Sequence, residues 1–135
     1  MYPTNGGCLS IVAVPGLGIH EDQIWTSNGV SWLSDEKMLP FWVPCSRIMC
    51  FSYETAWLGE DTVETRLPHI AHQLLRGIMA FRKVSRDNLQ ILTALTMQQS
   101  HRMRPLVFIG HCFGGLVIEK VLFDILHVFS ILTRT

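Results

Sequence analysis

The sequence carries little charge and has no excess of either sign. Only 16% of its 135 residues are charged, and 11 basic side chains balance 11 acidic ones. The longest run of basic residues is Arg82-Lys83. Because nucleic-acid backbones are bound by clustered lysine and arginine, we expect no nucleic-acid partner. The apolar share of 48% is ordinary for a globular core, so the composition also excludes a disordered chain.

Long hydrophobic segments are absent as well. The most apolar stretch, 121–132, contains Asp124 and His127 and is shorter than the roughly 20 residues of a membrane-spanning helix. Residues 1–9 have neither the basic flank nor the apolar run of a secretory signal peptide. We therefore expect no transmembrane helix and no signal peptide.

Cysteines are few and irregularly spaced, at positions 8, 45, 50 and 112. This spacing fits neither a zinc site nor a small secreted domain held by disulfides. His69 and His72 are one helical turn apart and would supply two metal ligands, but no third ligand accompanies them, and a solvated helix face is the alternative. We expect no metal, no cofactor and an intracellular, reducing environment.

Three short apolar runs predict β-strands. They are residues 10–14 (SIVAV), 47–53 (RIMCFSY) and 105–110 (PLVFIG). Such runs are typical of strands in a parallel sheet that is covered on both faces. Between and after these runs, helical spacing alternates with the strand pattern, which favours an α/β fold with parallel strands.

Two helices are predicted with different surroundings. Apolar residues recur every three or four positions from Val63 to Phe81, with Pro68 expected in the first turn. Residues 116–129 are apolar almost all round, which is typical of a helix beneath other layers. Residues 85–102 predict either a weak helix or an insertion.

The strongest motif joins the third strand to the last helix. Gly110-His111-Cys112-Phe113-Gly114 has the glycine, nucleophile and glycine spacing of a nucleophile elbow. At such a turn the nucleophile has a strained backbone, and the residues two before and two after it must be small. An elbow after a buried strand and before an apolar helix predicts nucleophilic chemistry.

Three segments of the chain resemble successive blocks of the lipase-like α/β-hydrolase domain of many fungal proteins. They are IVAVPGLGIHEDQIWTSNGVSWL, RIMCFSY and RPLVFIGHCFGGLVIEKVL. In that family the domain often precedes nucleotide-binding and repeat modules. It is similar to serine-active-site lipase-like proteins associated with membranes of the mitochondrion and endoplasmic reticulum. The resemblance implies the N-terminal half of an α/β-hydrolase fold, with a parallel sheet flanked by helices, and an ancestral ester hydrolase or lipase activity.

The resemblance also implies a set of site residues. Cys112 takes the place of the nucleophilic serine; a thiolate is chemically competent there, and the alternative is a small buried residue in an inherited turn. Backbone N–H groups of Leu17 and Phe113 are the expected oxyanion donors. The glycines of the elbow and of the loop after the first strand complete the set: Gly16, Gly18, Gly110, Gly114 and Gly115.

Several positions depart from the family pattern. Pro15 stands where the family usually has histidine before the oxyanion loop, and PGLG is alternatively a simple turn. An acid and a histidine should follow the elbow; the candidates weighed are Asp124 and His127, on the predicted helix. His20 matches a loop histidine of the family and either approaches the elbow or is a polar loop residue. Residues 1–135 are therefore expected to be a partial hydrolase domain.

Aromatic and imidazole groups complete the candidates. Tryptophans at positions 25, 32, 42 and 57 would line an acyl pocket or, as the more ordinary expectation, pack in the core. His111 is expected to pack beneath the elbow rather than act as a base.

Two functions follow from these residues. One is an ester hydrolase whose substrate is a lipid or another acyl ester. The other is a catalytically inactive signalling or interaction domain on the same scaffold. Either requires a cover for the exposed sheet edge and last helix, namely a protein partner or the missing C-terminal half of the fold.

Overall fold

A computed structural model describes residues 9–18, 21–54, 63–82 and 105–134. Its described residues belong to two compact units, one holding residues up to 54 together with 105–114, the other holding 63–82 and 115–134. The predictions for His20, Trp57 and the segment 85–102 lie outside the described residues.

Strands and helices alternate along the chain. In order they are β1 (Ser10–Val14), α1 (Glu21–Ile24), β2 (Thr26–Ser27), β3 (Val30–Ser31), α2 (Leu39–Trp42), β4 (Arg47–Cys50), α3 (Val63–Arg82), β5 (Leu106–Gly110) and α4 (Phe113–Leu132). Helices and a parallel sheet in one chain confirm the coarse prediction of a mixed α/β architecture.

The main sheet has three parallel strands in the order β4, β1, β5. All five residues of β1 are buried, which explains why every residue after Ser10 is apolar, because a central strand has no solvent face. In the sheet, β4 lies on one side of β1 and β5 lies on the other side. The predicted bounds of β1 are confirmed.

The other two strands are shorter than predicted. The second was expected over 47–53, but β4 ends at Cys50. The ladder continues by a single bond from the Phe51 N–H to the Ala13 carbonyl (2.8 Å). Pro105 precedes β5 rather than joining it, and its carbonyl accepts the Ser10 N–H (2.8 Å). The strand-favouring residues of RIMCFSY therefore predicted a strand three residues longer than β4.

A segment between β1 and β4 forms structure that the sequence analysis did not predict. The strands β2 and β3 pair across Asn28-Gly29, which have φ of 51° and 78°. This is the backbone of a tight two-residue hairpin, for which Asn-Gly is the strongest sequence signal. Trp25 and Leu33 from this segment are buried with Ala13 of β1 in one core cluster.

The second unit contains the long helices. One face of α3 is buried, at Ile70, Leu74 and Ile78, as its apolar spacing predicts. Pro68 was expected in the first turn, and this prediction is wrong because the helix already includes Val63. Proline destabilises a helix less near its start than at its centre, because few backbone N–H groups near the start donate hydrogen bonds within the helix.

The helix α4 is longer than predicted and is buried on one face only. It begins at Phe113 and ends at Leu132. Val117, Val121 and Ile125, four positions apart, are buried. Its other face exposes large apolar side chains, at positions 116, 122, 123, 126, 129 and 131. Within the described ranges no helix is long and apolar enough to cross a membrane.

Candidate functional site

The strand order determines where a ligand site is expected. From β1 the chain crosses to β4 on one side and then returns past β1 to β5 on the other. In open parallel sheets, ligands bind beyond the carboxyl ends of the strands where the order reverses in this way. In this sheet the reversal lies between β1 and β5. The loop 15–18 and the elbow 110–114 follow these two strands, so the topology brings the two predicted motifs to one edge.

The elbow has a strained nucleophile position. Cys112 has φ of 51°, a left-handed conformation that costs a residue with a side chain about 1–3 kcal/mol. On one side, the His111 N–H donates to the Val14 carbonyl (3.0 Å); on the other, the Gly114 N–H donates to the His111 carbonyl (2.9 Å). These bonds fix a sharp turn that leaves the Cys112 side chain exposed. The alternative of a small buried hydrophobic residue at 112 is therefore wrong.

Gly114 is required by the approach of β1. A Cβ at this position would lie against the Val14 carbonyl oxygen, 2.7 Å from the Pro15 carbonyl oxygen and 2.8 Å from the Val14 carbonyl carbon. All of these atoms belong to the main chain, which cannot rotate away as a side chain does. The first turn of α4 therefore meets the end of β1 without any side chain between them.

The loop after β1 is held against the elbow at Gly16. A Cβ there would lie 2.9 Å from both the Cys112 Cβ and the His111 Nδ1. Gly18 has φ of 75°, which favours glycine. Leu17, an expected oxyanion donor, is half-buried between these two glycines. The loop PGLG therefore lies close against the turn at His111 and Cys112.

The remaining predicted site residues differ in their burial and packing. Phe113, the other expected donor, is the buried first residue of α4. Gly110 ends β5 and pairs with Val14. A Cβ on Gly115 would meet no atom within 4 Å, so packing gives no reason for glycine there.

The rings of His111 and Trp25 are in contact, but His111 is exposed rather than packed beneath the elbow. Their ring centroids are 6.2 Å apart in an edge-to-face arrangement, and Trp25 is also edge-to-face with Trp32 at 5.5 Å. The Trp25 indole nitrogen is buried and has no hydrogen-bond acceptor among the described residues. Core packing, the ordinary expectation for the tryptophans, thus holds for Trp25, while Trp42 is 71% exposed and is not a core residue.

Sequence analysis missed Tyr53. Its hydroxyl donates a hydrogen bond to the Pro15 carbonyl (2.7 Å), and its ring stacks on Phe51 at 5.5 Å. Burial, and secondly the negative charge of the Cys112 thiolate, raise the pKa of Tyr53 to about 12. Its place shortly after a strand of a parallel sheet was the available signal, because the carboxyl ends of these strands share one edge.

Other candidates have different partners. The Lys120 ammonium donates to the Asp124 carboxylate (2.6 Å), and His127 stacks on Phe123 with ring centroids 6.2 Å apart. His69 shares a hydrogen bond with Gln73 (3.0 Å). No group of three metal-ligating side chains occurs among the residues that the structure describes.

The cysteines outside the elbow provide a comparison for Cys112. Cys45 and Cys50 are exposed, as Cys112 is, and none of these three forms a disulfide. Only Cys112 combines exposure with the left-handed backbone of the elbow. The three thiols therefore differ in backbone setting rather than in access to solvent.

Comparison of the chain with protein-family models, with curated proteins and with solved structures found no match.

Proposed function

We propose that this chain carries the elbow half of an α/β-hydrolase fold and that Cys112 accepts an acyl group from a carboxylic ester. The observation that carries the proposal is the φ of 51° at Cys112, held by the main-chain contact of Gly114 with β1. A strained backbone persists only where the surrounding structure enforces it, and it is typical of active sites. A cysteine that only fills space gains nothing from this conformation.

Transfer of the acyl group to Cys112 proceeds through a tetrahedral intermediate. The Cys112 thiolate attacks the ester carbonyl carbon, a C–S bond forms, and the carbonyl oxygen becomes an oxyanion. The N–H groups of Leu17 and Phe113 stabilise this charge from positions flanking the nucleophile. The C–O bond then breaks, the alcohol leaves with a proton from solvent, and a thioester remains on Cys112. Hydrolysis of the thioester by water releases the acid and restores the thiol.

The substrate class follows from the surroundings of the elbow. Aromatic groups lie close to it: Trp25 is edge-to-face with His111, and the Tyr53 hydroxyl binds the Pro15 carbonyl in the adjoining loop. These groups favour an uncharged acyl ester or a lipid.

A second candidate is a catalytically inactive interaction domain on the same scaffold. The exposed apolar face of α4 favours it, because contiguous apolar patches often mark protein contacts. The exposed strands and this helix would be covered by a protein partner or by the C-terminal half of a hydrolase fold.

Reaction with p-nitrophenyl acetate at mildly alkaline pH distinguishes the two. Release of p-nitrophenolate gives the rate, and peptide mass mapping locates the acetyl group. We expect one acetyl group, on Cys112, and no adduct in Cys112→Ala. Cys45→Ala and Cys50→Ala are matched controls, since each removes an exposed thiol outside the elbow, and both should be acetylated at the wild-type rate.

Two results would overturn the proposal. Equal acetylation of Cys45, Cys50 and Cys112 would indicate ordinary thiol reactivity without a site. Absence of any adduct on a folded chain would leave the interaction domain as the better interpretation.

A further inference from the structure

A tyrosine outside both motifs contacts the loop between them. Tyr53 follows β4 by three residues, and the Phe51 N–H bond to the Ala13 carbonyl (2.8 Å) keeps this stretch beside the end of β1. From there the Tyr53 hydroxyl reaches the Pro15 carbonyl at 2.7 Å. Stacking on Phe51, with 25° between the ring planes, restricts the ring that carries the hydroxyl.

Two residues contact the Pro15 carbonyl. The Tyr53 hydroxyl donates a hydrogen bond to its oxygen. Gly114 approaches the same oxygen so closely that a Cβ on residue 114 would lie only 2.7 Å from it. This peptide group is therefore held by the hydrogen bond from Tyr53 and by the close approach of Gly114 at the start of α4. The backbone directions of Gly16 and Leu17, which follow Pro15 in the chain, therefore depend on how this peptide group is oriented.

The loop needs such an anchor because of its glycines. Gly16 and Gly18 flank Leu17, and glycine permits more backbone conformations than any other residue. An oxyanion donor contributes to catalysis only when it is already oriented before the charge develops. Without a fixed start, the Leu17 N–H would sample many directions.

We propose that Tyr53 is a positioning residue that orients the Leu17 N–H toward the oxyanion by holding the Pro15 carbonyl. This inference rests on the proposed acyl transfer to Cys112. The raised pKa of Tyr53, about 12, supports it, because the phenol stays protonated and keeps donating at mildly alkaline pH.

The test compares two reactions of the same thiol. Acyl transfer from p-nitrophenyl acetate passes through an oxyanion, whereas alkylation by iodoacetamide is a direct displacement at carbon that forms none. Tyr53→Phe removes one oxygen atom and retains the stacked ring, so the fold is retained. We expect the acetylation rate of Cys112 to fall about tenfold or more and its alkylation rate to stay within about twofold.

Ser52→Ala is the matched control, because it removes an exposed hydroxyl from the adjacent position. Both rates should be unchanged in it. An equal fall of both rates in Tyr53→Phe would indicate a distorted elbow and overturn the positioning role, as would an unchanged acetylation rate. Failure of the wild-type chain to be acetylated would instead overturn the proposed function, and the role of Tyr53 in acyl transfer with it.

Discussion

Replacing Gly114 by alanine would place a methyl group against the main chain of β1. The added carbon would lie 2.7 Å from the Pro15 carbonyl oxygen and 2.8 Å from the Val14 carbonyl carbon, compared with about 3.5–4.0 Å for comfortable contact between carbon atoms. Overpacking of a tight site costs about 1–3 kcal/mol and sometimes more. Because the opposing atoms are main chain, we expect the upper end, about 3 kcal/mol. The shift would also strain the bond between the His111 N–H and the Val14 carbonyl.

The adjacent glycine provides the control. A Cβ on Gly115 meets nothing within 4 Å, and alanine is favoured over glycine in helices by up to about 1 kcal/mol. Thermal unfolding followed by circular dichroism should therefore show a melting temperature about 10 °C below that of the wild-type chain for Gly114→Ala. The melting temperature of Gly115→Ala should be unchanged or slightly higher. If the two variants melt together, the described contact between α4 and β1 is not present in solution.

Two further predictions concern the same edge of the sheet. The folded chain raises the pKa of Tyr53 from 10.0 to about 12, so folding favours the neutral phenol. The stability this provides is fully present below about pH 10 and is lost as the pH rises toward 12. Its ceiling is about 2.7 kcal/mol, which solvent screening at this partly exposed group reduces to roughly 1 kcal/mol. Urea unfolding should show this alkaline loss in the wild-type chain and not in Tyr53→Phe; parallel curves for the two would contradict the shift. At Cys112, where φ is 51°, glycine should be more stable than alanine by about 1 kcal/mol, the reverse of the usual order. A Cys112→Ala variant that is as stable as Cys112→Gly would show that the turn is unstrained.

The success of sequence analysis depended on whether a signal was local. The bounds of β1 could be predicted because this central strand is apolar at four of its five positions and ends just before Pro15. The elbow could be located because such a sharp turn requires small residues at fixed spacing around its central residue. Predictions from apolar composition alone were less accurate, as the early end of β4 shows.

Contacts between distant segments were beyond sequence analysis. The hydrogen bond from Tyr53 to Pro15 joins residues 38 positions apart, and no local pattern encodes which loop a strand end will face. The contact between Trp25 and His111 joins residues that are farther apart still in the sequence, by 86 positions. The hairpin at Asn28-Gly29 is a different case, because its signal was local and was overlooked.

The central position of β1 has a consequence for folding. Ser10 pairs with Arg47, 37 positions along the chain, and with Leu106, 96 positions along. Closing the longer loop costs only about 0.8 kcal/mol more entropy, but during synthesis at about 5–20 residues per second the second partner emerges roughly 5–20 s after the first strand. Throughout that interval one edge of β1, which is apolar at four of its five positions, has no neighbour, and unpaired apolar edges are prone to aggregate. Among the described strands, the pairing of β1 with β5, which brings Cys112 beside the loop 15–18, is the last to form, so a change in the reactivity of the Cys112 thiol would report when β5 has joined β1.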